Sequence, residues 1–296
     1  MSYTNTATKH RYYTGIVQQR FVNEPIFPQA GVDFLRLGSK HAVHPSLHQF
    51  LPSYTMCTSV SELEALYNSK SVVATTCLGV NHAVFSRRTF DYCIVDEASQ
   101  LTLPVSLGPL RCAAVFVLVG DHYQLPPLVR DSEARERGLG VSLFRLLSEH
   151  HPNSMVMLDE QYRMNSDIML LSNTLFYNHQ LKCGSVGVAS GRLALPLPQC
   201  LSRDCPRWLR RSLSPDTPVI FLNTDKLEDG SESSGCGEKI WNKQALITYR
   251  VEYICHFNCF CVKCGVTGDQ VGVVTPYRHQ QTKIKEALIN LPLTQC

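Results

Sequence analysis

The sequence predicts an α/β protein of two domains with mainly parallel sheets, and three observations carry that prediction. Apolar runs without alternation, "SVVATT" at 71–76, "FDYCIVDE" at 90–97 and "AVFVLVGD" at 114–121, read as strands covered on both faces. Helical segments alternate with such runs, the order of a parallel α/β unit. The chain has 296 residues, about two domains at roughly 150 residues each. The alternation falls into two blocks, 1–155 and 156–296.

Within the first block, Pro25, Pro28, Pro45 and Pro52 interrupt the first 60 residues. "SVSELEALYNS" at 59–69 then places Ser59 three residues before Glu62, a capping box, with Leu63, Leu66 and Tyr67 on one helical stripe. "VSLFRLLSEH" at 141–150 is a short amphipathic helix. In the second block, 166–176 is a helix with Ile168, Leu171 and Leu175 on one face. "PVIFLNTD" at 218–225 is a strand, 241–262 a long helix, "QVGVVTPY" at 270–277 a strand, and "HQQTKIKEAL" at 279–288 a helix. Residues 184–217 and 228–238, rich in Gly, Ser and Pro, read as loops.

Composition sets further bounds. Apolar residues make up 44% of the chain, enough for a sizeable core. Lys plus Arg exceeds Asp plus Glu by 28 − 25 = 3, which permits nucleic-acid binding without arguing for it. The N-terminus is polar, without the apolar stretch of a signal peptide. The longest strongly apolar run, Cys112 to Val119, falls far short of the roughly 18 residues that span a bilayer. A soluble chain with no membrane partner is expected. The 13 cysteines, with no export signal, suit reduced thiols in a cytosolic or nuclear protein. Cys255, Cys259, Cys261 and Cys264 allow a zinc site, yet they lie in an apolar helix with no second ligand pair nearby, which favours core packing.

Four stretches carry chemistry. In "CIVDEASQ", Asp96 and Glu97 end a strand, where open α/β sheets bind ligands. One carboxylate can hold a hard cation such as Mg²⁺ and the other can deprotonate a water; the dipeptide alone also reads as a surface pair opening a loop. "VLVGDHYQLPPLV" ends a second strand with Gly120 and Asp121, then Gln124, whose amide can touch a phosphate and a water at once; alone, it is a strand-to-loop turn. "EQYRMNSDIM" sets Tyr162, a stacking face, and Arg163, a rigid fork for phosphate, before a helix; alone, it is a capping turn with a surface Arg. "VGVVTPYRHQQ" closes a strand with Thr275, Pro276 and Tyr277, groups suited to a sugar–phosphate backbone and a stacked base; a bare turn competes.

In order and spacing, DEASQ, VGDHYQLPP, QYRMN and TPYR resemble superfamily 1 helicases of the group that includes the nonsense-mediated-decay RNA helicase. "FLRLGS", "SVVATTCLGVNHAVFSRRTFDYCIVDEASQ" and "FLNTDK" look most like the helicase domain of the DNA replication ATP-dependent helicase/nucleases. The likeness runs from about residue 31 to 290, and "SYTNTA" at 2–7 resembles the group's first DNA-contacting motif. It implies two RecA-like domains, the first truncated at its N-terminus and the second at its C-terminus. By position, Asp96 resembles the residue that holds Mg²⁺, Glu97 the base and Gln124 the γ-phosphate sensor. Gly120 and Asp121 stand with these at the ATP site. Arg163 resembles the arginine finger and Tyr162 the residue stacked on adenine. Thr75, Thr76, Pro126, Thr275, Pro276 and Tyr277 resemble single-strand contacts.

The resemblance also implies ATP and Mg²⁺ as cofactors, single-stranded DNA as substrate and 5′ to 3′ movement. Replication and repair proteins such as single-strand-binding protein are its implied partners, and the nucleus, with the mitochondrion second, its implied compartment. The family's nuclease core and iron–sulfur cluster fall outside the matched segments. No G-x-x-x-x-G-K-[ST] loop occurs in the 296 residues, and the family's last motif is not found either. The expectation is therefore the middle of an ATPase, inactive alone. Its alternatives are a short non-hydrolysing form that binds DNA or a partner, and an RNA helicase relative.

Overall fold

The computed structural model describes residues 13–16, 32–42, 44–197, 207–222 and 243–290. The segment 2–7 and the loop 228–238 lie outside the described residues. The chain divides into two compact units, Met1–Val156 and Met157–Cys296.

The first unit is built on five parallel strands: β1 (Tyr13–Ile16), β2 (Phe34–Arg36), β3 (Val72–Thr75), β4 (Phe90–Val95) and β5 (Ala113–Leu118), in the order β2-β3-β1-β4-β5. The registers pair Ala74 with Arg36 and Gly15, and Ile94 with Gly15 and Val117, so all five strands point their carboxyl ends the same way. One face of the sheet packs Phe34, Val72 and Ala74 against Leu47 and Leu51. The other packs Leu35 and Val73 against Val84 and Phe90. Helix α1 (Val60–Ser69) begins where Ser59 accepts the amide of Glu62 at 3.2 Å. The Glu62 carboxylate reaches back to the amide of Thr58, one residue further than a strict capping box. Arg88 fastens the other end, donating to the carbonyls of Tyr67 and Lys70 at 2.6 Å each.

The expectation of strands covered on both faces holds for β3, where all four residues are buried. It fails for β5, whose Val115, Phe116 and Val117 are nearly half exposed. β5 is an edge strand, flanked only by β4 among the described residues, but β2 at the opposite edge is buried throughout, so the exposure of β5 reflects poorly covered faces and not edge position alone.

The second unit pairs two short parallel strands, β6 (Glu160–Gln161) and β7 (Lys182–Cys183). Its described helices of six or more residues are α2 (Ser166–Leu175), α3 (Arg207–Ser212), α4 (Lys243–Lys263) and α5 (Arg278–Asn290). Leu209 and Leu213 are fully buried against Cys261 and Val266, and Val251 and Cys255 of α4 pack on Ile284 of α5. Cys255 and Cys261 thus serve two different packing clusters, and burial pushes the Cys261 thiol up to about 11. Eight described cysteines are free thiols; Cys259 departs from that expectation and is disulfide-bonded. No described helix is long and apolar enough to cross a membrane.

Four sequence expectations change here. Residues 218–222 of the predicted strand 218–225 are not a strand, and neither is 270–277; Phe221 and Val274 are largely exposed. A strand needs ladder hydrogen bonds to a neighbour, and among the described residues neither segment is paired in a sheet. The predicted loop 184–217 contains α3, held by the buried Leu209. On α2 the predicted face of Ile168, Leu171 and Leu175 is exposed. The turn of α2 that packs is instead organised by Asn173, whose side chain exchanges hydrogen bonds with the backbone of Leu181 at 2.9 and 3.0 Å.

Candidate active site

Strands β4 and β5 do not part company at their carboxyl ends. The Val119 amide donates to the Val95 carbonyl at 2.8 Å, and the Ala98 amide to the Val119 carbonyl at 2.8 Å. One residue on, the Asp121 amide donates to the Ser99 hydroxyl at 3.2 Å. The loop bearing Asp96 and Glu97 is thereby stitched to the loop bearing Gly120, Asp121 and Gln124. Gly120 lies in the seam: a Cβ there would stand 2.9 Å from the backbone nitrogen of Ser99.

Within the first loop, Glu97 adopts a left-handed backbone, φ 52° and ψ 34°. For a non-glycine residue that conformation is uncommon, and where it occurs it often marks a functional turn. It re-aims the chain into the short helix Ala98–Gln100, and the Gln100 side-chain amide donates to the Glu97 carboxylate at 3.0 Å. A bond to an ionised acceptor is about twice as strong as a neutral one, so Gln100 fixes the rotamer of Glu97. Asp96 is half-buried beside it. In the second loop the Asp121 carboxylate caps its own turn, accepting the Tyr123 amide at 2.9 Å and the Gln124 side-chain amide at 2.8 Å. Beneath the site, Cys93 is fully buried, and burial raises its thiol to about 12.

Among the described residues no group of three or more His, Cys, Asp or Glu side chains forms a metal site; Asp96 by itself offers hard carboxylate oxygens just past the end of β4. Gly120→Ala tests the seam. Overpacking against backbone should cost about 1–3 kcal/mol of unfolding free energy, measured by urea denaturation. Gly272→Ala, where a Cβ meets nothing within 4 Å, should cost nothing.

The second unit carries the other site residues, described within that unit. Tyr162 is 66% exposed and donates its hydroxyl to the Glu160 carboxylate at 3.2 Å, which raises the phenol pKa. Its ring lies over Gly184, where an added Cβ would overlap it. Arg163 is exposed. Together with Tyr162 and Arg192 it lines a shallow hollow of about 390 Å³. The side chain of Gln161 holds the turn that presents both. Its oxygen accepts the amides of Arg163 and Met164 at 2.9 and 2.8 Å, and its nitrogen donates to the Met164 carbonyl at 2.6 Å.

Of the expected single-strand contacts, Thr75 is 1% exposed with its hydroxyl packed against Gly79. Thr76, next along, is exposed, as is Pro126. Thr275 donates to the Gln280 side chain at 2.6 Å and precedes α5, leaving Pro276 and Tyr277 exposed. Sequence reasoning missed Ser99, Gln100, Gln161 and Gly184. Ser99 and Gln100 sit inside DEASQ and Gln161 inside EQYRM, so motif membership was the available signal.

A parallel α/β unit with carboxylates and a glutamine on adjoining strand ends carries these groups where open α/β sheets bind ligands. Two family models, each described as an AAA domain, match residues 29–132 and 139–294. The second covers more than half of the chain, and the chain belongs to the AAA-domain family. It is 44% identical over 87% of its length to the DNA replication ATP-dependent helicase/nuclease DNA2 of Mus musculus. It is 42% identical over 89% to the DNA replication ATP-dependent helicase/nuclease JHS1 of Arabidopsis thaliana, and 42% identical over 86% to DNA2 of Saccharomyces cerevisiae. The chain spans 25%, 19% and 17% of those relatives, a quarter of their length or less.

Proposed function

We propose that this chain is the helicase-core portion of an ATP-dependent DNA helicase/nuclease acting in DNA replication and repair. ATP hydrolysis at the β4–β5 strand ends drives 5′ to 3′ movement on single-stranded DNA. The observation that carries the reading is the stitched pair of strand ends, with Asp96 and Glu97 on one loop and Gln124 on the other. Asp96 would hold Mg²⁺, which supplies charge neutralisation at the phosphates when bound. Glu97 takes a proton from water, oriented by Gln100. Gln124, tethered to Asp121 on the adjoining loop, couples nucleotide to strand. Tyr162 acts at the adenine and Arg163 at the γ-phosphate, and Gly120 and Asp121 bind the nucleotide. Thr76, Pro126, Thr275, Pro276 and Tyr277 lie along the single strand. The division into residues 1–155 and 156–296 is the proposed pair of RecA-like domains. The nucleus is the proposed compartment, the mitochondrion a second, and single-strand-binding protein a partner.

A second reading has its own observation. Phosphoryl transfer is catalysed almost entirely by positioning and charge stabilisation, and the 296 residues contain no phosphate loop. By itself the chain is then a non-hydrolysing protein that binds DNA or a partner. The test is ATP turnover with and without single-stranded DNA. The 296-residue chain should show no stimulated turnover, and a longer form carrying a phosphate loop should show it. Stimulation of the short chain overturns the phosphate-loop argument. Stimulation of the longer form by RNA and not DNA overturns the substrate assignment.

A further inference from the structure

The turn that carries Tyr162 and Arg163 is held from beneath by groups that no motif assigns. The Gln161 side chain makes three hydrogen bonds to the backbone of Arg163 and Met164, two accepted and one donated. Its nitrogen also lies 3.2 Å from the Cys183 sulfur on the neighbouring strand β7. That contact ties the turn to β7 and not only to itself. The next residue along, Gly184, donates its amide to the Gln161 carbonyl at 2.9 Å and carries the Tyr162 ring on its Cα. One face of the ring is covered by Gly184 while the residue remains 66% exposed, so the other face is open to a flat ligand.

We propose that Gln161 and Gly184 are positioning residues: Gln161 presets the backbone that launches Arg163, and Gly184 presets the plane of Tyr162. This rests on the nucleotide reading of the turn. The two act on different kinetic quantities. Arg163 meets charge that develops in the transition state, so loosening its launch point lowers kcat. Tyr162 stacks on a base in ground and transition state alike, so tilting its ring raises KM.

Two measurements test it. In the 296-residue chain, amide hydrogen exchange at Arg163 and Met164 should quicken in Gln161→Met, which keeps volume but loses the acceptor. It should stay slow in Gln161→Glu, which keeps the acceptor. In the longer form with a phosphate loop, Gln161→Met should lower kcat by about ten- to hundredfold, the range set by a misplacement near 1 Å, with KM for ATP nearly unchanged. Gln161→Glu should recover part of that loss. Gly184→Ala should instead raise KM severalfold with the smaller effect on kcat. Added to Arg163→Ala, Gln161→Met should cost nothing further, because both act through one group. Turnover of Gln161→Met within twofold of the parent overturns the inference, as does a full additional loss on the Arg163→Ala background. If Arg163→Ala itself turns over normally, the nucleotide reading of the turn is what has failed, and the positioning role falls with it.

Discussion

Glu97→Gln in the longer, phosphate-loop-bearing form should bind ATP normally and hydrolyse it at less than about one hundredth of the parent rate, since a positioned general base contributes about 10²–10⁴-fold. The substitution is nearly isosteric and exchanges a carboxylate that can take a proton for an amide that cannot. Gln100 now donates to that carboxylate at 3.0 Å. In the variant it faces an amide, whose oxygen can still accept, so the loop should keep its shape. The left-handed turn at residue 97 is a backbone property and is indifferent to this change. Binding should therefore survive, measured by equilibrium titration of a fluorescent ATP analogue, while single-turnover hydrolysis in the presence of single-stranded DNA collapses. Gln100→Leu should fall between, lowering turnover without removing the base. If Glu97→Gln hydrolyses within a few-fold of the parent, another group takes the proton and Asp96 becomes the first candidate.

Much of this site is legible in the amino-acid sequence, for a physical reason. Apolar runs that end abruptly in charge mark strand ends, and strand ends of parallel sheets are where ligands sit, so Asp96, Glu97, Asp121 and Gln124 declare themselves. What joins them does not. The Asp121 amide and the Ser99 hydroxyl are 22 residues apart, and nothing in either stretch announces the other. Gly120 is legible as a glycine near a nucleotide, but the structure gives it a different neighbour, the Ser99 backbone. Helices α4 and α5 are legible because their patterns run long. The segments 218–222 and 270–277 have strand composition and no strand structure, because strand formation depends on partners that composition does not report. Burial of Thr75 is hidden for a similar reason: exposure at a strand end depends on what packs over it, here Gly79.

Arg163→Ala should lose about 10³-fold or more in turnover, the scale of a removed arginine finger, with a much smaller change in nucleotide affinity. The second unit offers an internal comparison. Arg163 and Arg192 line the same hollow, but Arg192 is engaged with Asp167 at 3.3 Å. Arg163 is exposed, and no carboxylate ion-pairs with its guanidinium among the described residues. A cation without a carboxylate partner at the end of a rigid turn is suited to meet a phosphate, whereas a paired one must first give up its carboxylate. Arg192→Ala should therefore leave turnover within a few-fold of the parent. Arg163→Lys keeps the charge but not the planar fork, and should recover only part of the lost rate. The measurement is single-stranded-DNA-stimulated ATP turnover in the longer form, with nucleotide affinity determined alongside for each variant. Equal losses in Arg163→Ala and Arg192→Ala would mean that the hollow acts through its summed positive charge, and the specific assignment to Arg163 would be withdrawn. Loss confined to Arg163, partly restored by Lys, requires directed contact with a developing charge, which is what phosphoryl transfer demands of an arginine finger.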